Sequence, residues 1–163
     1  MTASLLDDDW RALFEAGTAH VVGVVAADGS PFATRGWGAR FSPEGTSVRL
    51  LLGATEVGSL GYPDDDPSGA TLALTCSTIR SLRSAQIKGP IVGIEPVGPD
   101  DLVVLAEYCD GYFDAVLEVD LIARALMERM VPDMLVACTF VVEEAYEQTP
   151  GPGAGRVLGT AAP

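Results

Sequence analysis

The sequence predicts a mainly β domain, a six-stranded antiparallel barrel with flanking helices. Three observations carry this. Six short segments rich in Val, Ile, Leu and Thr are bounded by Gly, Pro and Asp turn signals. The early ones are joined by tight turns, the pattern of an antiparallel meander. After Pro99 the apolar period becomes helical, then returns to that of a strand. Early hairpins with one late helical insertion suit a small closed barrel.

Ser4 with Asp7 three residues later reads as a helix start. Leu6, Trp10, Leu13 and Phe14 then form one apolar stripe, and Gly17 ends the helix. The first strand runs from His20 to Ala27 and ends at Asp28-Gly29, a two-residue hairpin signal. Phe32 to Phe41 is the return strand. Ser42-Pro43-Glu44-Gly45 reads as a type I turn into a third strand, Ser47 to Leu52. A short element around Thr55 to Leu60 and an acidic loop, Tyr62 to Gly69, lead to a fourth strand, Thr71 to Cys76. Ala85 to Val97 is a long fifth strand, with a bulge or bend expected at Gly89-Pro90. Leu102, Leu105, Ala106, Cys109, Phe113 and Val116 give a helix that Gly111 divides, and Leu121 to Met130 gives another, stopped by Pro132. The last strand, Met134 to Tyr146, is apolar on both faces and so expected to be covered on both. The expected organisation is one domain over residues 1–147, with the helical insertion at 99–131, and a Pro/Gly-rich tail over 148–163.

Hydrophobic residues make up 48% of the 163, which excludes wholesale disorder. No apolar run has the length of a membrane span, and the first nine residues lack the charge and hydrophobic pattern of a signal peptide. Cys76, Cys109 and Cys138 have no metal-ligand spacing and read as buried thiols of a reducing, cytoplasmic compartment. The net charge of −13 argues against nucleic-acid and anionic-membrane partners. The few cations are segregated: six of ten lie between residues 35 and 88, with only five of the 23 acids. Such a stretch reads either as solvated strand charges or as a pocket for a phosphorylated ligand.

The single histidine, His20, opens a Val-rich strand and reads as structural; no metal site is expected. No hydrolase triad motif is present. The segment from Arg35 through Gly36-Trp37-Gly38 to Arg40 is more informative. Arginines five apart on a regular strand face opposite ways, and a Gly-Trp-Gly break re-aims one of them. Gly36 and Gly38 leave the backbone uncrowded for a flat ring, and Trp37 offers a core anchor or a stacking surface. A second cluster, Ser77-Thr78 through Arg80, Arg83, Gln86 and Lys88 to Gly89, gathers the donors that a phosphate or heteroaromatic edge needs.

These two segments, with the ending Glu147 to Gly155, resemble the FMN-binding split barrels of the pyridoxamine 5′-phosphate oxidase-like superfamily. The resemblance implies a six-stranded split barrel, a homodimer with its sites in the interface, and an FMN-dependent oxidoreductase acting on a small-molecule substrate. It places Arg35 and Arg40 at the FMN phosphate and ring and Gln86 of Gln86-x-x-Gly89 on the flavin; with Trp37, Gly38, Thr55, Ser77, Thr78 and Lys88 these residues make up the expected cofactor site. Two departures stand out. Glu56 follows Thr55 where the family has basic or hydroxyl residues that touch the phosphate, and of the C-terminal His and Arg set of the vitamin B6 oxidases only Arg156 has a counterpart. The alternatives are a non-enzymatic flavin binder, a barrel for deazaflavin F420 or haem, and a barrel without a cofactor. One Lys and no Asn point to a GC-rich genome, which keeps F420 in the set.

Overall fold

The computed structural model describes residues 4–161. The first three residues, in the N-terminal lead-in, and the last two, in the tail, lie outside the described residues. Helix α1 (Asp8–Glu15) starts at Asp7, whose carboxylate accepts from the Trp10 N–H at 2.9 Å. The cap is thus Asp7 and not Ser4. Ser4 instead donates to the Leu6 carbonyl at 2.8 Å.

Strands β1 (Ala19–Val25) and β2 (Pro31–Arg35) form a hairpin whose turn is wider than Asp28-Gly29, because pairing stops at Val25 opposite Pro31. The expected return strand is two strands. It breaks at Gly36-Trp37-Gly38, where Gly38 has φ +115°, and resumes as β3 (Ala39–Phe41). β4 (Ser47–Gly53) follows the expected turn, in which the Gly45 N–H donates to the Ser42 carbonyl at 2.8 Å. Then come α2 (Ala54–Gly58), β5 (Thr71–Ser77) and β6 (Ser84–Pro96).

The break closes the sheet. β2 pairs with β1, and β3 pairs with β4. Between them the Trp37 N–H donates to the Leu51 carbonyl and the Leu51 N–H to the Gly38 carbonyl, both at 2.9 Å. The remaining pairs run β1–β5, β5–β6, β6–β7 and β7–β4, where β7 is Leu135–Val141. The result is an antiparallel barrel of six staves. Its interior holds Phe14, Val22, Val48, Leu50, Leu72, Leu74, Ile87 and Phe140. The β6 register shifts between Ile91 and Gly93, just beyond the expected Gly89-Pro90. Gly89 itself lies where a Cβ would meet the Val141 carbonyl oxygen at 1.8 Å.

Helix α3 (Pro99–Asp120) is one unbroken helix. Gly111 does not divide it; its missing side chain lets Gly17 approach, where a Cβ on Gly17 would stand 2.3 Å from the Gly111 carbonyl carbon and the Tyr112 nitrogen. α3 lies on the outside of the barrel over a second core of Trp37, Leu51, Tyr108, Tyr112, Phe113 and Ala137. Leu102, placed on its apolar face by spacing, is 53% exposed, because Asp101, Tyr108, Tyr112 and Val116 are the residues turned inward. Both faces of β7 are therefore covered from within the chain: Cys138 and Phe140 face the barrel interior, and Ala137 faces α3. The second expected helix shortens to α4 (Arg124–Glu128). The last strand ends early and continues as β8 (Glu144–Glu147), which pairs with β6. The tail contains a strand that the sequence pattern does not show, β9 (Val157–Thr160), paired with β8. Among the described residues no helix is long and apolar enough to cross a membrane.

Burial sets the state of the titratable groups inside. His20 is fully buried, with its ring 4.7 Å from that of Tyr108. Burial lowers its pKa to about 4, against an opposing contribution from the Phe14 backbone. Burial pushes the Cys76 and Cys138 thiols up to about 12 and Cys109 to about 11, so none is a ready nucleophile.

Two outcomes follow. The unfolded chain binds a proton on His20 near pH 6.5 and the folded chain does so only near 4. The stabilisation from neutral His20 is thus complete above pH 6.5 and is lost as pH falls through this window, by about 1.4 kcal/mol per pH unit. The one imidazole NMR signal should stay at its neutral position from pH 7.5 to 5, and His20→Leu should flatten the stability profile there; an imidazole titrating near 6.5 contradicts the burial. Gly17→Ala should destabilise by about 1–3 kcal/mol or more through overpacking in denaturant melts. Gly93→Ala, where a Cβ meets nothing within 4 Å, should be near neutral.

Candidate functional site

The Gly36–Gly38 break sets where the arginines go. Arg35 pairs across with Val21, and both project from the barrel exterior. Ala39 and Phe41 point inward, so Arg40 between them also points out. Both therefore leave the same side of the wall, and α3 meets both. The Arg35 guanidinium donates to the Tyr112 hydroxyl and lies 5.0 Å from the Tyr112 ring and 5.7 Å from the Trp37 ring. Arg40 donates to Glu107 at 3.1 Å in an exposed pair. The backbone room expected at Gly36 and Gly38 is taken by the chain itself. A Cβ on Gly36 would meet Leu50 at 2.8 Å, and one on Gly38 would meet Val104 at 3.0 Å. Trp37 is 3% exposed and serves as a core anchor.

Where α3 begins, it stands off the sheet and leaves a cleft of about 530 Å³. The floor is the outer face of β3, β4 and β7, with Arg40, Ser47, Arg49, Leu51 and Thr139; Phe41 and Ser42 form one wall, and Pro99, Asp100, Asp101 and Val104 the other. Of the residues singled out by sequence, only Arg40 lines it. A neighbouring cleft of about 420 Å³ under α1 shares Arg40, Phe41 and Ser42, so Arg40 stands between the two.

Arg49 and Asp101 fix this geometry, and sequence reasoning passed over both. The Arg49 Nε and Nη2 donate to the two Asp101 oxygens at 2.7 and 2.9 Å, and Nη1 donates to Glu95 at 2.6 Å. Asp101 also accepts from the Gly98 N–H at 2.8 Å, the start of α3. Arg49 and that N–H hold the Asp101 carboxyl below the usual carboxylate range. A fork-to-fork pair of this kind fixes position as well as charge. The available signal was an acid three residues after Gly98 in Gly98-Pro99-Asp100-Asp101, and a lone Arg in an otherwise apolar strand.

The other predicted site residues lie elsewhere. Thr55 is on α2, beside a cavity of about 640 Å³ that it shares with Glu56 and residues 129–134. The Glu56 side chain folds back over Gly53, so that a Cβ there would meet its carboxylate. Gln86 and Lys88 project from the outer face of β6: Gln86 donates to the Thr75 hydroxyl at 2.8 Å, and the Lys88 ammonium is 4.9 Å from the Tyr146 ring. Register places Arg35, Val21, Thr75, Gln86 and Tyr146 in one row across five strands. At normal strand spacing Gln86 is roughly 14 Å from Arg35, so the two share a face without touching. Ser77 accepts from Ser84 at 2.7 Å, and Thr78 and Ser81 bond each other at 2.6 Å in the following turn.

No family model and no curated protein sequence matches the chain. Solved structures do. An F420 reductase is similar over 86% of this chain and 98% of its own, with 14% identity and a TM-score of 0.56. HupZ of Group A Streptococcus is similar over 92% of this chain and 99% of its own, with 14% identity and a TM-score of 0.51. A Lactobacillus delbrueckii protein assigned to pyridoxamine 5′-phosphate oxidase is similar over 86% of this chain and 93% of its own, with 12% identity and a TM-score of 0.49. With the six-stave closure and the external helix described above, the chain has the same split-barrel fold as the F420 reductase and HupZ structures.

Proposed function

We propose that the chain binds a flavin-type ring in the cleft under the start of α3 and acts as an oxidoreductase on a small organic substrate. The cleft itself carries this reading. Its volume of about 530 Å³ is that of a small-molecule site. Leu51 and Val104 give an apolar surface for a ring, while Arg40, Ser47 and Thr139 offer donors at its edge. A flavin ring would supply the hydride chemistry, so the raised thiol pKa values and the enclosed His20 are no obstacle; the chain's residues bind and orient. Deazaflavin F420 is the second reading, favoured by the fold similarity to an F420 reductase. Haem fits poorly, because His20, the one histidine, is fully enclosed.

The chain is proposed to act as a homodimer. Away from Arg35, where α3 meets β2, the outer face of β2, β1, β5 and β6 carries no helix among the described residues. It is floored by small residues, Gly23, Ala33 and Ala73, beside Val21 and Val25, which are 54% and 49% exposed. Gln86 and Lys88 lie on this face, where a second copy would bring them into a shared site.

Purified protein titrated with riboflavin, FMN and F420 should quench or shift the spectrum of at least one. Arg40→Ala should weaken that binding about tenfold or more, the scale of a charge-assisted hydrogen bond, with the melting temperature unchanged. Binding by none of them, or an Arg40→Ala variant of full affinity, would overturn the cleft assignment. Turnover of reduced nicotinamide with an artificial acceptor separates an enzyme from a carrier. Light scattering should give twice the chain mass at micromolar concentration, and Val21→Arg should give the monomer, since a stable interface buries more than about 1,000 Å². A wild-type monomer contradicts the dimer.

A further inference from the structure

We infer that the ring ligand of the α3 cleft carries no phosphate, and that the chain favours an uncharged riboflavin-type ligand over FMN. This rests on the cleft reading above and concerns the charge of its ligand.

The argument starts from the cations. Ten Lys and Arg serve 163 residues, and six of the ten are ion-paired among the described residues: Arg11, Arg40, Arg49, Arg80, Arg124 and Arg156. At the cleft, two guanidiniums meet four carboxylates. Arg40 is paired with Glu107, Arg49 with Asp101 and Glu95, and Asp100 lines the wall.

The two arginines are not equally available. Asp101 is 7% exposed and doubly held by Arg49. Drawing Arg49 towards a phosphate would strand a buried carboxylate, which is costly. The Arg40–Glu107 pair is exposed and weak, so Arg40 can turn to a ligand, but one guanidinium among acids is a poor match for a dianion. An uncharged ring leaves both ion pairs intact and still uses Arg40 and the hydroxyls.

The second place for a phosphate is closed in the same way. The resemblance puts phosphate contacts just after β4, at Thr55 and its neighbours. There Glu56 occupies the space over Gly53. An incoming phosphate would meet a carboxylate at the start of α2.

The test compares riboflavin with FMN on the full chain by calorimetry or fluorescence quenching. FMN is expected to bind at least about tenfold more weakly than riboflavin at low salt, the scale of a single unscreened charge contact. Raising the salt should narrow the gap. Glu107→Gln and Glu56→Lys should each narrow it by strengthening FMN binding while leaving riboflavin binding nearly unchanged. FMN binding more tightly than riboflavin would overturn the inference and leave the cleft reading standing. A gap that neither salt nor either variant changes would also overturn it, since the cause would not be charge. If neither flavin binds, the cleft reading falls and takes the inference with it.

Discussion

The structure depends on one backbone constraint, the switch of partner at Gly36-Trp37-Gly38. One chain segment pairs with β1 before the switch and with β4 after it, and this closes six strands into a barrel. The switch needs Gly38 in a region that L side chains rarely adopt, and Gly36 where a Cβ would strike Leu50. The same step changes the facing of the strand, so Arg35 and Arg40 leave the barrel on the same side. Trp37 is left pointing outward between them and founds the second core. α3 then lies on Trp37, and its start is tied to β4 through the Arg49 side chain, beside which the cleft opens.

A chain this acidic has few cations to deploy, and most go to holding α3 and the chain's outer loops. Arg40, Arg49 and Arg80 each tie a strand or turn to an acid on α3. Exposed pairs of this kind stabilise little one by one. The half-buried, two-pronged Arg49–Asp101 pair is different, because removing either partner leaves the other unmatched. Closing the contact further along the helix are Gly17 and Gly111, which pack backbone against backbone. The helix is thus fixed at its first turn by charge and at its middle by the absence of side chains.

Much of the barrel was legible in the sequence. Turn chemistry at Ser42-Pro43-Glu44-Gly45 and the apolar runs bounded by turn signals placed β4 and β5 where the structure has them. What was not legible depends on tertiary contact. Gly111 reads locally as a break and is in fact a point of close approach. β9 has no alternation and exists because β8 offers an open edge. The pattern of β7 shows that both its faces are covered, but not that α3 is what covers the second. The cleft was the least legible part. Arg35, Trp37, Gly38 and Arg40 were singled out as one ligand cradle, yet only Arg40 lines the cleft, while Arg49 and Asp101 went unremarked. Spacing along a strand reports a side chain's face; it does not report what a helix sixty residues later lays across that face.

The central claim is that the ring ligand sits between the outer face of β3 and β4 and the start of α3. Backbone hydrogen exchange with and without a saturating flavin locates the ligand directly. The account predicts slowed exchange over residues 39–51 and 98–105, with the β8–β9 hairpin unchanged. Bound flavin that protects only the β8–β9 hairpin or the α2 region, and leaves residues 98–105 exchanging as before, would contradict it.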